Sequence, residues 1–128
     1  MKLILPIYYE QVFKTKKNKT ILVNMGWYRN AHYQILNKVK AHYHDLVREQ
    51  CTNEQFNNPL IQFKIYAKRK GTDGGNIRSV IEKFALDGLV KAGVIPDDTI
   101  KYINKDMSEY FYDKNNPRAE IYLTEMRI

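Results

Sequence analysis

Apolar residues recur along this chain in two rhythms, and the rhythm changes where the polar chemistry is densest. In residues 60 to 70, LIQFKIYAKRK, Ile61, Phe63, Ile65 and Ala67 fall on one side and Gln62, Lys64, Tyr66 and Lys68 on the other. A period of two predicts a strand half buried in a sheet. Between about 28 and 50 the apolar positions Ile35, Leu36, Val39, Tyr43, Leu46 and Val47 are spaced by one, three and four, which gathers them on one face of a long helix. Ile77, Val80, Ile81, Phe84, Gly88 and Leu89 repeat that helical spacing, with Asn76 as a candidate cap and Gly93 as a stop.

The shorter segments fill in around these three. Residues 2 to 8, KLILPIY, predict an opening strand ending near Tyr9, with Pro6 favouring a sheet edge or a bulge. Ile21 to Val23 predict a second strand, broken at Asn24, Met25 and Gly26; Asn30 is a candidate cap for the long helix, although Trp27 and Tyr28 suit a helix as well. Residues 51 to 59 read as a loop. Thr99 to Ile103 resume an apolar alternation, Met107 to Tyr112 are strand-like, residues 113 to 117, DKNNP, are a turn, and Glu120 to Met126 form a closing strand with Ile121 and Leu123 on one face. The expected architecture is one α+β domain over residues 1–128, a small mixed sheet packed by two main helices.

Charge changes this picture from a fold to a partner. The chain carries a formal net charge of +7, and such a surface attracts polyanions, with nucleic acid foremost. Lys14, Lys16, Lys17 and Lys19 crowd one loop-like segment without an intervening acid, and Lys68, Arg69 and Lys70 end the alternating strand. Both sets suit phosphate contacts, which position a nucleic acid without reading its sequence; Arg78 is a further candidate. Ten tyrosines serve equally as core and interface residues or as stacking platforms. Trp27, Tyr28 and Arg29 are similarly open between DNA contact and docking of a helix onto the sheet.

Cys51 is the lone cysteine, so no internal disulfide and no cysteine-based metal cluster can form. His42 and His44 are two apart and diverge on a helix, which argues against zinc and for a polar helix face. No stretch approaches the roughly 20 apolar residues of a membrane span, and a cytoplasmic location is expected.

The densest chemistry lies from Gly71 to Asp98, GTDGGNIRSVIEKFALDGLVKAGVIPDD. Glycines 71, 74 and 75 flank Asp73 in a tight strand-to-helix turn, yet neither the spacing of a phosphate-binding loop nor that of a dinucleotide fingerprint is present. On a helix Asn76, Lys83 and Asp87 share a narrow stripe, with Lys83 and Asp87 four apart and able to pair. Glu82 points about a quarter turn away from it.

Asp73, Asn76, the run KFALDGLVKAGVIPDD and the terminal EIYLTEM together resemble the RusA family of Holliday-junction resolvases, which occurs largely in phages and prophages. The likeness runs through most of the chain in order, and its specific part is Asp73, Asn76 and residues 83 to 98. It implies a homodimer that binds four-way DNA junctions and cuts symmetrically related strands with magnesium, or manganese in its place, held by aspartates. Asp73 matches the first aspartate of the family's D-x-D-N turn, Asn76 its asparagine, Lys83 its helix lysine and Asp98 the aspartate of the closing pair.

The resemblance thus implies Asp73, Lys83 and Asp98 as catalytic residues and Asp73, Asp97 and Asp98 as metal ligands, supported by Asn76 and Asp87. Gly75 departs from the pattern, standing where the turn's second aspartate is expected, and about four extra residues separate Asn76 from Lys83. Two further expectations stay open: a RusA-like DNA-binding or regulatory protein with a weakened site, and a basic module for RNA or protein.

Overall fold

The alternating segment becomes β4 (Pro59–Ala67), the strand around which the others are arranged. Its odd-numbered side chains are buried and its even-numbered ones half exposed, as the period of two requires. β4 pairs antiparallel with β6 (Arg118–Glu125), which pairs antiparallel with β1 (Lys2–Leu5). On its other side β4 pairs parallel with β5 (Lys105–Tyr112), giving a four-stranded mixed sheet in the order β1-β6-β4-β5. The computed structural model describes residues 1–125 and establishes the α+β class read from the sequence; Met126, read as the last residue of the closing strand, lies outside the described residues.

The opening strand is two strands, not one. The chain leaves the main sheet after Leu5 and re-enters as β2 (Tyr8–Gln11), which forms a separate hairpin with β3 (Lys19–Leu22). Proline at position 6 has no N–H to offer a ladder, so the break falls there. The carbonyl of Pro6 accepts instead from the buried Tyr43 hydroxyl, whose phenol burial pushes far above its ordinary pKa.

The first helix is also divided, into α1 (Met25–Asn30) and α2 (Tyr33–Gln50). Asn24 caps α1 by accepting the Trp27 N–H at 2.9 Å, and His32 caps α2 through Nδ1, which accepts the Gln34 N–H at 3.2 Å. Asn30 is not a cap: it closes α1, its amide donating back to the Gly26 carbonyl. Thr99 to Ile103 form a helical turn, not an alternating strand, with the Thr99 carbonyl accepting from Tyr102 and Ile103.

α3 (Gly74–Lys91) presents the expected face, and Ile77, Val80, Ile81, Phe84, Gly88 and Leu89 are all buried. It ends at Gly93, whose φ of 75° a side chain would resist. Phe84 is the common support of three helices: Tyr43 of α2 lies 5.3 Å from its ring centre, and Tyr28 and Trp27 of α1 lie 6.2 and 6.5 Å away. Such aromatic contacts add to area burial.

The outer sheet face carries polar cross-strand contacts. Glu120 accepts from the Tyr122 hydroxyl at 2.5 Å and from Arg118 at 2.7 Å, with Lys2 at 3.8 Å. Burial works against its carboxylate, but these donors and cations outweigh it and hold the carboxyl below its usual range. Arg118 in turn lies 3.8 Å over Tyr66, which stacks on Phe111 of β5 at 4.8 Å.

Replacing Phe84 by Ala removes the ring that α1, α2 and α3 share, and is expected to cost about 3–5 kcal/mol of unfolding free energy. Urea denaturation followed by circular dichroism measures it.

Candidate nucleic-acid interface

Asp73 is placed by the end of β4. The chain turns through residues 68 to 72, with the Thr72 N–H donating to the Arg69 carbonyl, and Asp73 caps α3. Its Oδ1 accepts the Asn76 backbone N–H at 3.3 Å and its Oδ2 the Asn76 side-chain amide at 3.1 Å. Asp73, not Asn76, is therefore the cap, and Asn76 orients its carboxylate through both oxygens. Each oxygen retains a further lone pair.

Gly74 and Gly75 differ in what they permit. A Cβ on Gly74 would meet Tyr110 of β5 at 2.2 Å, so the close approach of helix and strand there needs glycine unless Tyr110 moves. A Cβ on Gly75 would sit 3.4 Å from Asp73 Oδ1, an ordinary contact, and the backbone has no positive φ there. The backbone thus leaves room for a side chain at position 75; only its chemistry is missing.

A cleft of about 420 Å³ joins this turn to the β2–β3 hairpin, lined by Tyr8, Leu22 and Asn24 from one side and Arg69, Thr72, Asp73 and Asn76 from the other. The loop of that hairpin carries Lys14, Lys16 and Lys17, and Lys19 opens β3; all four are exposed, with Lys16 folded 4.6 Å over the Phe13 ring. Lys68, Arg69 and Lys70 are exposed on the turn, and Lys70 lies 5.2 Å over Tyr112. Of the two basic segments read from the sequence, Arg69 lines this cleft beside Asp73, and the lysine loop lies at the far end of the hairpin whose base, Tyr8 and Leu22, lines its other side. Asn24 and Tyr8 also line it, although neither carries a sequence signal for a site: Asn24 reads as a strand break and Tyr8 as a strand residue.

The remaining candidates are dispersed. Arg78 is engaged by Glu82 at 2.8 Å and Asp106 at 3.8 Å, so its charge is already balanced and it is a poor phosphate contact. Burial raises the Glu82 carboxyl above its ordinary range and Asp106 adds to the shift, while Arg78 and Lys83 oppose it. Lys83 lies ten residues beyond Asp73, about 15 Å along the helix axis, with its ammonium 6.0 Å over the Tyr28 ring.

Lys83 does not pair with Asp87. Asp87 Oδ2 instead lies 2.8 Å from His44 Nε2 and 3.8 Å from both Lys40 and Lys91, fastening α2 to α3. The stripe of Asn76, Lys83 and Asp87 therefore serves three different contacts.

Asp97 and Asp98 sit at the other end of the domain. The Val94 carbonyl accepts the Phe56 N–H at 2.8 Å, which places it beside the start of β4, whereas Asp73 follows the end of β4. The 18 residues of α3 rise about 27 Å between those ends, and the four residues from Val94 to Asp98 can recover at most about 14 Å. Within the pair, the Asp98 N–H donates to Asp97 Oδ1 at 2.8 Å.

Oxygen donors of this kind suit magnesium, but the set does not fit one ion in a single chain. Among the described residues no three His, Cys, Asp or Glu side chains converge on a metal-holding point, and Asp73 is left without Asp97 and Asp98.

Comparison with protein-family models and with curated proteins returns no match. Among the described residues no helix is long and apolar enough to cross a membrane.

Two outcomes follow from these contacts. Asp73→Ala removes the α3 cap and is expected to cost about 1 kcal/mol of stability, whereas Asp73→Asn keeps an acceptor and costs less; thermal melts of both variants separate the cap from any chemistry. His44 is half-buried between α2 and α3, and desolvation, aided by Lys91 and Lys40 and opposed by Asp87, lowers its pKa from 6.5. The unfolded chain then takes up a proton more readily, so this contribution is intact above about pH 6.5 and is lost as pH falls through the lower folded value. Urea midpoints measured from pH 7.5 to 5 are expected to fall less steeply for His44→Gln than for the native chain.

Proposed function

We propose that this protein is a structure-selective endodeoxyribonuclease of the RusA type that binds branched DNA, four-way junctions above all, and cuts its strands. The observation that carries the reading is the cleft in which the Asp73–Asn76 turn, Arg69 and the base of the lysine hairpin meet. Lys14 to Lys19 and Lys68 to Lys70 hold the phosphate backbone of converging strands by charge, without contact to base edges. Arg69, which lines the cleft with Asp73, offsets charge that grows on a phosphate held there. Asn76 fixes the Asp73 carboxylate, whose free lone pairs accept a proton from the attacking water.

Magnesium, or manganese in its place, is the cofactor of this reading, and a single chain does not converge enough carboxylates to hold it. The reading carries with it a homodimer acting in recombination or repair in the bacterial cytoplasm, with a phage or prophage source.

A second reading, a protein on the same fold that grips branched DNA without cutting it, is favoured by Gly75. A synthetic four-way junction labelled on each strand separates the two. With magnesium or manganese, the nuclease yields symmetric cuts that Asp73→Asn abolishes while binding persists; binding without cleavage under any divalent metal selects the second reading. Tighter binding to duplex RNA than to the junction overturns both. Replacing Lys68, Arg69 and Lys70 with alanine is expected to flatten the dependence of log affinity on log salt by about 0.9 for each phosphate that is no longer neutralised.

A further inference from the structure

A further cavity, of about 550 Å³, lies between the β2–β3 hairpin and the junction of α1 with α2. Its size is that of pockets that take a small molecule. Leu22 and Asn24 line both it and the Asp73 cleft, so the two hollows adjoin at the end of β3. From there the lining follows β3 back to Lys19, which pairs with Gln11 where the lysine loop begins. The cavity therefore occupies the gap between the Asp73 cleft and the lysines of the loop.

Its walls combine a flat apolar surface with polar groups held in place. Trp27, half-buried and set nearly perpendicular to Phe84 with ring centres 6.5 Å apart, supplies an aromatic wall beside Leu22 and Ile35. The polar groups are oriented by the helix ends, and each keeps one hydrogen-bonding function unused among the described residues. Asn24 Oδ1 accepts the Trp27 N–H, which leaves its side-chain amide to donate. Asn30 donates to the Gly26 carbonyl, which leaves its Oδ1 to accept. His32 Nδ1 accepts the Gln34 N–H, which puts the proton of the neutral ring on Nε2. No carboxylate lines the cavity, and Lys19 brings a positive charge to one end, so a cation finds no partner there and an anion does. A planar ring that carries donors and acceptors and is tied to an anion fits these walls, and a nucleotide is such a ligand.

We propose that this cavity holds one nucleotide, its base against Trp27 and the amides of Asn24 and Asn30, its phosphate at Lys19 and Thr20. The adjoining cleft gives the source: an unpaired nucleotide of a strand that runs from Asp73 along β3 to the lysine loop. That source rests on the nuclease reading above; a free nucleoside 5′-phosphate offers the same chemistry, and the experiment separates the two. Taking a base out of the stack costs least where it is unpaired or poorly stacked, as at a branch point, so such a pocket favours branched DNA over plain duplex.

Trp27 is the single tryptophan of the chain, so its fluorescence reports on the cavity directly. Titration with deoxyadenosine 5′-monophosphate is expected to quench it saturably, while inorganic phosphate at the same concentrations leaves it unchanged. Asn30→Ala and Lys19→Ala, both at exposed positions, are each expected to weaken the mononucleotide about fivefold, with circular dichroism unaltered. Absence of quenching, equal quenching by phosphate alone, or quenching undiminished in both variants overturns the nucleotide site.

The source is read with DNA in place of the mononucleotide. A four-way junction with one unpaired deoxyadenosine at its branch point is expected to quench Trp27 more deeply than the same junction without it, and Asn30→Ala to lessen the difference, while mobility shifts show both junctions bound. Quenching by the mononucleotide but by neither bound junction assigns the cavity to a free nucleotide and overturns the strand path. If neither junction binds, the nuclease reading and the strand path fail together, and the mononucleotide titration judges the cavity by itself.

Discussion

Parallel pairing of β4 with β5 is the constraint on which the rest of the structure depends. Two parallel neighbours cannot be joined by a hairpin; the chain must cross from the end of one to the start of the other, and here α3 makes the crossing. The first turn of that helix is therefore fixed beside the end of β4 and its last turn beside the start. Asp73 and the pair Asp97–Asp98, which look like two poles of one site when read along the chain, are assigned opposite ends of the domain by topology alone.

The same crossing explains why one end forms a cleft and the other an exposed bend. At the end of β4 the backbone must turn sharply, and Gly74 lets α3 approach β5 closely enough for Tyr110 to cover it. Asp73 supplies the cap that the exposed N–H groups of the first turn require. Asn24, capping the unrelated α1, lines the same cleft, so two helix caps and a basic hairpin converge on one hollow. At the opposite end Gly93 stops the helix and Val94 and Ile95 go into the core, leaving the two aspartates on an exposed bend.

Much of the fold was legible because burial imposes strict periods. The alternation of β4, the buried face of α3 and the Asp113 to Pro117 turn are each recoverable from spacing. Pro6, by contrast, signals a break without saying that the chain changes sheets there, and the boundary at Ala31 depends on capping by Asn24 and His32, which compete with Asn30 on equal terms in sequence. The site was legible in part. Both basic segments and Asp73 stand out by composition, but which of them meet depends on contacts between residues far apart in sequence. Helical geometry places Asn76, Lys83 and Asp87 on one stripe correctly; what the stripe cannot tell is that α1 and α2 take up Lys83 and Asp87, leaving only Asn76 for Asp73.

Whether branched DNA lies in the cleft between the lysine hairpin and the Asp73 turn is tested most directly by acetylation of lysines with and without a bound four-way junction, read by mass spectrometry. Protection of Lys14, Lys16, Lys17, Lys19, Lys68 and Lys70, with Lys83, Lys2 and Lys64 modified as before, is the predicted result. Protection of Lys2 and Lys64 on the outer sheet face, with the hairpin and turn still modified, would contradict it.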